Sequence, residues 1–416
     1  MVFLSVRLSA SPGSPTGASG PRLDSTVAAT PLVFDGVTVI DVQHGQRLQA
    51  QRVVIAGNRI RAVGSVTTVH LPPGARVIDA RGKYLIPGLW DMHIHVGGEG
   101  TVNQQDTVYP RSIAYGVTGL REMAQRFPYG TDSFRVWRRE IMAGRRVGPR
   151  VVGPSVDNTY GVSMNTPAAA RVIDSLKAAG IVFLKLHDDN MSRALFFAIA
   201  REARRVGLPF VGHVPLTVTE VEVSDSGQRS VEHVVENHTC YPNFPRPLDS
   251  RALQRCAPVA AAYVRNGTWW TPTLVAARHN WGGETIVPNL QQFVRMMHHF
   301  GVQMLAGTDW DVSYMREEPT FQPGKSLHEE LRLLVGGGLT PLEALQTATL
   351  NPAKFLNATD SLGTIAPGKL ADLVLLDADP LADIHNTTTI RAVVANGRYF
   401  GRATLDQLLA TLTSRR

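Results

Sequence analysis

Between about residues 87 and 310 the chain repeats one unit, a short apolar run followed by an amphipathic stretch, and this alternation constrains the fold more than any other feature of its 416 residues. The runs fall near 88–95, 117–123, 150–154, 181–187, 209–214, 230–235, 268–273 and 302–308. Several are separated by helical periodicity, as in "PAAARVIDSLKAAG" (167–180) and "SRALFFAIAREARRVG" (192–207). Parallel strands need a long crossover at every step, and a helix supplies it. Eight such units predict an α/β fold, a (β/α)8 TIM barrel spanning 87–359.

The flanks have a different pattern. "LVFDGVTVIDV" (32–42), "RVVIAGNRIRAVG" (52–64) and "ARVIDARGKYLIPG" (75–88) are short β segments broken by Gly, Asn and Pro, and β pattern returns in "GTIAPGKLADLVLLDADP" (363–380) and "RAVVANGRYF" (391–400). They predict a small β-sandwich domain built from 31–86 plus 360–401, followed by a C-terminal helix or tail over 402–416. Residues 1–30 include "SASPGSPTGASGPRLDSTVAAT", too poor in large apolar side chains to repay ordering, and are read as a flexible tail. The opening "MVFLSV" is too short for the apolar region of an export signal, so the expected compartment is the cytoplasm, or outside it if a longer signal precedes this numbering.

Composition narrows the class. No apolar run reaches the roughly 18 residues of a membrane span, so no membrane partner is expected. A net charge of +7 raises the question of nucleic acid, but the arginines are scattered, and "RVWRRE" (135–140) and "REARR" (201–205) read as solvated helix faces. No nucleic-acid partner is expected. Cys240 and Cys256, the two cysteines, make no disulfide framework and lack a CxxC spacing, which leaves the redox compartment open.

Lysine is rare, six residues against 36 arginines, yet Lys185 stands inside the apolar run "IVFLKL". A buried ammonium costs several kcal/mol, roughly, unless it is neutralised or ligated. Other chemistry-bearing side chains occupy equivalent places. His93 and His95 in "DMHIH" are two apart, so a strand turns both imidazoles to one face. His213 ends the fifth run, His233 lies in the sixth and Asp309 ends the eighth. Singly, each has a bland reading: a satisfied core histidine, or a helix-capping aspartate. Together they fall at the C-terminal ends of strands, where barrels of this kind carry their chemistry.

This constellation, with "YLIPGLWDMHIH" (84–95), "GVTGLREM" (116–123), "AGTD" (306–309), "GLTPLEALQTATLNPAKFL" (338–356) and "LGTIAPGKLADLVLLDADP" (362–380), resembles the amidohydrolase superfamily. The similarity is to the group containing metal-dependent prolidases, carboxypeptidase-like enzymes, ochratoxin hydrolases and imidazolonepropionase-related proteins. It implies two divalent metal ions; imidazole and carboxylate ligands suit Zn²⁺, with Mn²⁺ and Co²⁺ as the alternatives that the ligand types also admit. By this resemblance His93, His95 and Asp309 hold one metal and His213 and His233 the other. Lys185, carboxylated by CO2, and a hydroxide bridge them, and Asp309 also shuttles the proton.

The implied reaction is hydrolysis of an amide or peptide-like bond, as in an N-acyl amino acid, a dipeptide or an ochratoxin-like amide. A lactonase or phosphotriesterase-like esterase and a cyclic-amide hydrolase are the alternatives on the same site. Deaminases of the superfamily usually carry a Glu three residues after the strand-five histidine, where this chain has Leu216. A non-catalytic scaffold predicts eroded ligands, and none is eroded. Candidate substrate contacts are His187, Tyr160, Arg278 and His238, with Arg121 and Arg126 as further groups able to meet a substrate carboxylate. The loops "HNWGG" (279–283) and "DVSYMREEPTFQPG" (311–324) are placed to shape substrate choice. The expected partner is a small-molecule amide or peptide substrate, and the chain is expected to form a homo-oligomer.

Overall fold

The computed structural model of the chain describes residues 30–96, 105–123, 129–159, 164–311 and 321–413. Nearly all of the segment read as a tail lies outside the described residues, as do Tyr160 and Arg126.

The first five strands are β1 (Leu32–Asp41), β2 (Gln46–Ala56), β3 (Arg59–Ser65), β4 (Arg76–Asp79) and β5 (Tyr84–Pro87), and the last three are β15 (Leu373–Leu376), β16 (Ile390–Ala395) and β17 (Arg398–Gly401). They form one hydrogen-bonded sheet in the order β17-β16-β15-β5-β1-β2-β3, with β4 also paired to β1. Strands from the two flanking segments therefore pair in a single eight-stranded sheet, not in the two facing sheets of a sandwich. Its seam is β15 against β5, antiparallel from Leu373 opposite Pro87 to Leu376 opposite Tyr84.

Strand alternation explains why this seam is apolar on both sides. In β15, Leu373 and Leu375 pack into the sheet's own core with Phe34, Val39, Ile55 and Leu85, while Val374 and Leu376 join the larger core around the helices. The same division separates Leu85 from Ile86 and Val394 from Val393. A strand buried on both faces reads as a continuous apolar run, which "LVLL" does.

The intervening strands are β6 (Leu89–His95), β7 (Val117–Glu122), β8 (Arg150–Val152), β9 (Ser155–Asp157), β10 (Phe183–Leu186), β11 (Phe210–Gly212), β12 (Ser230–Glu232), β13 (Trp269–Thr271) and β14 (Trp310–Asp311). All their pairings are parallel, in two arcs ordered β14-β6-β7-β8 and β13-β12-β11-β10-β9. With helices between them this is a TIM-barrel-type α/β fold, although the ladders do not close into one eight-stranded ring. At one break Gly153–Pro154 divides β8 from β9, and proline has no N–H to give to a ladder.

At the other break the expected run 302–308 is a hydrogen-bonded connection, not a regular strand. Trp270 N donates to Gln303 O and Leu305 N to Trp270 O, both at 2.9 Å, while Met92 N donates to Ala306 O at 2.9 Å on the other side. The helices Ala169–Ala178 and Arg193–Val206 match the periodic stretches. The second starts where Ser192 Oγ accepts from Leu195 N, and it buries Phe196, Ile199 and Ala203 while Arg201, Arg204 and Arg205 face outward. "HNWGG", expected as a loop, instead ends the helix Leu274–Trp281. No helix among the described residues is long and apolar enough to cross a membrane.

Candidate metal centre

The histidines of "HIH" occupy the last positions of β6, on one face, and both are buried. Their ring atoms converge with Asp309. His93 Nε2 lies 3.1 Å from His95 Nε2, His95 Nε2 lies 3.0 Å from Asp309 Oδ1, and His93 Nε2 lies 3.3 Å from the same oxygen. Donors bound tetrahedrally at about 2.0–2.1 Å stand roughly 3.3 Å apart, so this triangle has the dimensions of a metal-ligand set.

Close backbone approach makes the convergence possible. A Cβ on Gly307 would lie 2.6 Å from Thr271 Cγ2 and 2.8 Å from His93 Cβ, so only glycine lets the 306–309 segment run against β6. Asp309 N then donates to His93 O at 2.7 Å. Asp309 and His233 both hold left-handed backbone, at φ 54 and φ 63. That conformation costs a non-glycine residue roughly 1–2 kcal/mol, and here it falls on two side chains aimed into the site.

Lys185 comes up the middle of β10, buried, and its Nζ has no hydrogen-bond partner among the described residues. Burial pulls its pKa below the ordinary lysine value, against the opposing pull of Glu232, Asp157 and Asp309. An amine left unpaired in a carboxylate-rich interior is what a site for a further group would leave behind. With the His93–His95–Asp309 triangle beside it, the donor set fits divalent cations.

His213 and His233 follow β11 and β12 directly, and their rings lie 4.9 Å apart. His213 Nδ1 meets Asp189 Oδ1 at 2.9 Å and Glu236 Oε1 at 3.4 Å; His233 Nδ1 meets Thr273 Oγ1 at 2.8 Å. With Nδ1 occupied, each ring keeps Nε2 for a metal. Asp189, His213 and Glu236 also form a second group compact enough to hold a cation, whose two carboxylates sequence reading did not assign to the site. Burial sets both histidines well below the ordinary imidazole pKa, reinforced at His213 by Lys185. At His95 burial acts the same way, but the Asp309 carboxylate outweighs it and raises the value. Burial pushes Asp309 upward, yet the facing imidazoles of His233, His93 and His95 hold it well below the usual carboxylate range.

A cavity of about 440 Å³ opens over these groups. Lys185, His213, His233 and Asp309 form its polar floor, and Phe244 and Trp281, edge to face with centroids 5.6 Å apart, contribute an apolar wall. His187 lines it, as its two-residue spacing from Lys185 predicts, with Nδ1 held 2.9 Å from Asp157 Oδ2.

The other candidate contacts among the described residues sit elsewhere. Arg278 pairs with Glu329 and, at 3.1 Å, with Glu284, and lines a separate cavity. His238 Nε2 turns to Val218 O at 3.2 Å. Arg121 is no rim residue: it is fully buried in β7 with Glu232. The loop after β12 carries a further feature that sequence left open, a disulfide between Cys240 and Cys256 that ties it to the helix Ala252–Asn266.

The sequence model of the amidohydrolase family matches residues 84–399. An adenine deaminase of Rubrobacter xylanophilus is 26% identical over 394 residues, covering 89% of this chain, which spans only 58% of that protein's length. Among solved structures, a molinate hydrolase superposes with TM-score 0.71 at 20% identity, over 91% of this chain and 96% of its own. A Xaa-Pro dipeptidase superposes with TM-score 0.69 at 19% identity, over 89% and 100% respectively.

Proposed function

The chain belongs to the amidohydrolase family, and from that premise we propose that it is a metal-dependent hydrolase of C–N bonds that cleaves an amide or peptide-like bond in a small molecule. The observation that carries this reading is the convergence of His93, His95 and Asp309 on one point beside the unpartnered amine of Lys185. His93, His95 and Asp309 would hold one cation and His213 and His233 a second, with Lys185, carboxylated by CO2, joining them. When bound, the cations supply Lewis acidity, which activates water near neutral pH and polarises a carbonyl. The barrel over 87–359 carries this chemistry, and the sheet from 31–86 and 360–401 braces it.

The chain's own groups do the rest. Asp309 Oδ1 faces the His93 and His95 imidazoles, and Oδ2, 3.7 Å from His233 Nδ1, is the oxygen to accept the proton of the attacking water and pass it to the leaving nitrogen. Phe244 and Trp281 give one side of the substrate an apolar, aromatic surface, which favours an N-acyl amino acid, dipeptide or aromatic amide. The relative named for adenine deamination supplies a second reading. Against it stands Leu216, 65% exposed at the position where related deaminases usually place a carboxylate.

Metal analysis of the purified protein, with a panel of N-acyl amino acids, dipeptides, lactones, phosphotriesters and adenine assayed with added Zn²⁺, tests the reading. We expect about two metals per chain and turnover of the amides, lost in Asp309→Asn and in Lys185→Arg, whose guanidinium stays protonated beside two cations. Turnover of adenine alone would favour the second reading, and absence of metal with no activity regained would end both.

A further inference from the structure

We infer that Glu232, braced by Arg121, is a positioning residue that fixes the ring and tautomer of His93 for metal binding; this rests on reading His93 as a ligand. His93 Nδ1 lies 2.8 Å from Glu232 Oε2, and neither side chain has any solvent exposure. An ionised carboxylate only accepts hydrogen bonds, so the imidazole donates from Nδ1 and its Nε2 keeps the lone pair. That Nε2 is the atom 3.1 Å from His95 Nε2 and 3.3 Å from Asp309 Oδ1. The outward atom of the ring is thus chosen by the group behind it.

Glu232 is in turn fixed from several directions. Arg121 Nη2 donates to both its oxygens, at 2.8 and 2.9 Å, and Ser230 Oγ donates to Oε1. The same guanidinium reaches Ser230 Oγ at 2.9 Å through Nη1 and Thr271 Oγ1 at 3.3 Å through Nη2, and it donates from Nε to Met92 O. Met92 precedes His93 in β6, so one cation holds both the backbone beside the ligand and the carboxylate behind its ring. Phe355 covers the guanidinium at 5.0 Å. A fixed fork of five donors serves this arrangement, which the point charge of a lysine could not.

A carboxylate behind a ligating histidine orients the ring and raises its basicity, and its loss typically costs 10–100-fold in metal affinity. Glu232→Gln should therefore weaken Zn²⁺ binding by about 10–100-fold in competition with a chromophoric chelator. It should also shift the imidazole nitrogen signals of His93, in metal-free protein labelled with ¹⁵N-histidine, from one tautomer toward a mixture. A merely structural role would lower the melting temperature and move neither readout. Should Glu232→Gln fail to fold, Glu232→Asp keeps the charge for Arg121 but draws it back from the ring, and weakened Zn²⁺ binding is again the expected result. Wild-type metal affinity in a folded variant, or a His93 proton on Nε2 in the wild type, overturns the inference and leaves the ligand assignment standing. A wild-type protein that binds no metal overturns the ligand assignment, and this inference with it.

Discussion

Replacing Arg121 by Met should be among the most destabilising single changes in the barrel interior. The substitution keeps an unbranched side chain of similar length but removes the hydrogen bonds to Met92 O, Ser230 Oγ, Thr271 Oγ1 and both oxygens of Glu232. Glu232 has no solvent exposure, so water cannot replace the lost partner. Burial pushes its pKa up, and the Arg121 charge, with the His93 hydrogen bond, is what holds it well below the usual carboxylate range. Without Arg121 the carboxylate must remain charged and unpaired or take up a proton. Breaking a buried pair from one side costs about 3–5 kcal/mol.

Urea unfolding in the presence of a chelator reads this loss without the contribution of bound metal. Trp90, Trp269, Trp270 and Trp310 are buried in or beside the barrel and report its transition by fluorescence. With a slope of about 3 kcal/mol per molar, the midpoint should fall by roughly 1 M or more. The double variant Arg121→Met with Glu232→Gln should lose less than the sum of the two single variants, because neutralising the glutamate removes the unpaired charge. A loss under about 1 kcal/mol for Arg121→Met, or strict additivity in the double variant, would refute the assignment of a stabilising charge to Arg121.

Two further consequences can be measured on the same footing. His328 is buried between Tyr115 O and Thr387 Oγ1, each 2.9 Å away, and burial lowers its pKa from 6.5 to about 4. The unfolded chain therefore takes up this proton first as pH falls, so stability present above pH 6.5 is lost progressively down to about pH 4, by about 3 kcal/mol in all; His328→Gln should flatten that acid limb, and an unchanged limb would exclude His328 as its source. The Cys240–Cys256 bridge closes a loop with a sequence separation of 16 residues, so reduction or Cys256→Ser should lower barrel stability by up to about 3 kcal/mol, and a midpoint indifferent to reductant would show that the bridge constrains nothing.

Much of this was legible in the sequence because the relevant physics is local. The i, i+2 spacing of His93 and His95 depends only on strand geometry, and both rings do share a face. What was not legible depends on contacts distant along the chain. The run 302–308 has strand composition, yet its hydrogen bonds go separately to Trp270, Met92, His93 and Thr347 rather than along one ladder, and Gly307 and the left-handed Asp309 bring its end against β6. Cys240 and Cys256 have no spacing motif; their meeting depends on how the loop after β12 folds back onto the next helix. Asp189 stands in "HDDN", a stretch that looks like any polar loop until His213 is brought 2.9 Å from it.

Arg121 and Glu232 are a different case, since the reasoning that isolates Lys185 applies to them equally. Each is a charged residue within a strand, in "VTGLRE" and "SVE", and opposite charges on two buried strands invite pairing. The barrel interior thus holds two buried basic side chains besides histidine among the described residues, and it divides them by chemistry. The guanidinium, which cannot be deprotonated in a protein, neutralises a carboxylate that must stay ionised to orient His93. The amine, which burial can deprotonate, is the one left without a hydrogen bond. Exchanging the two would fail at both positions: a lysine at 121 could not span Met92 O, Ser230 and both oxygens of Glu232, and an arginine at 185 would carry a permanent positive charge into the proposed metal site. A chain with 36 arginines and six lysines has its one buried lysine beside the proposed metal site.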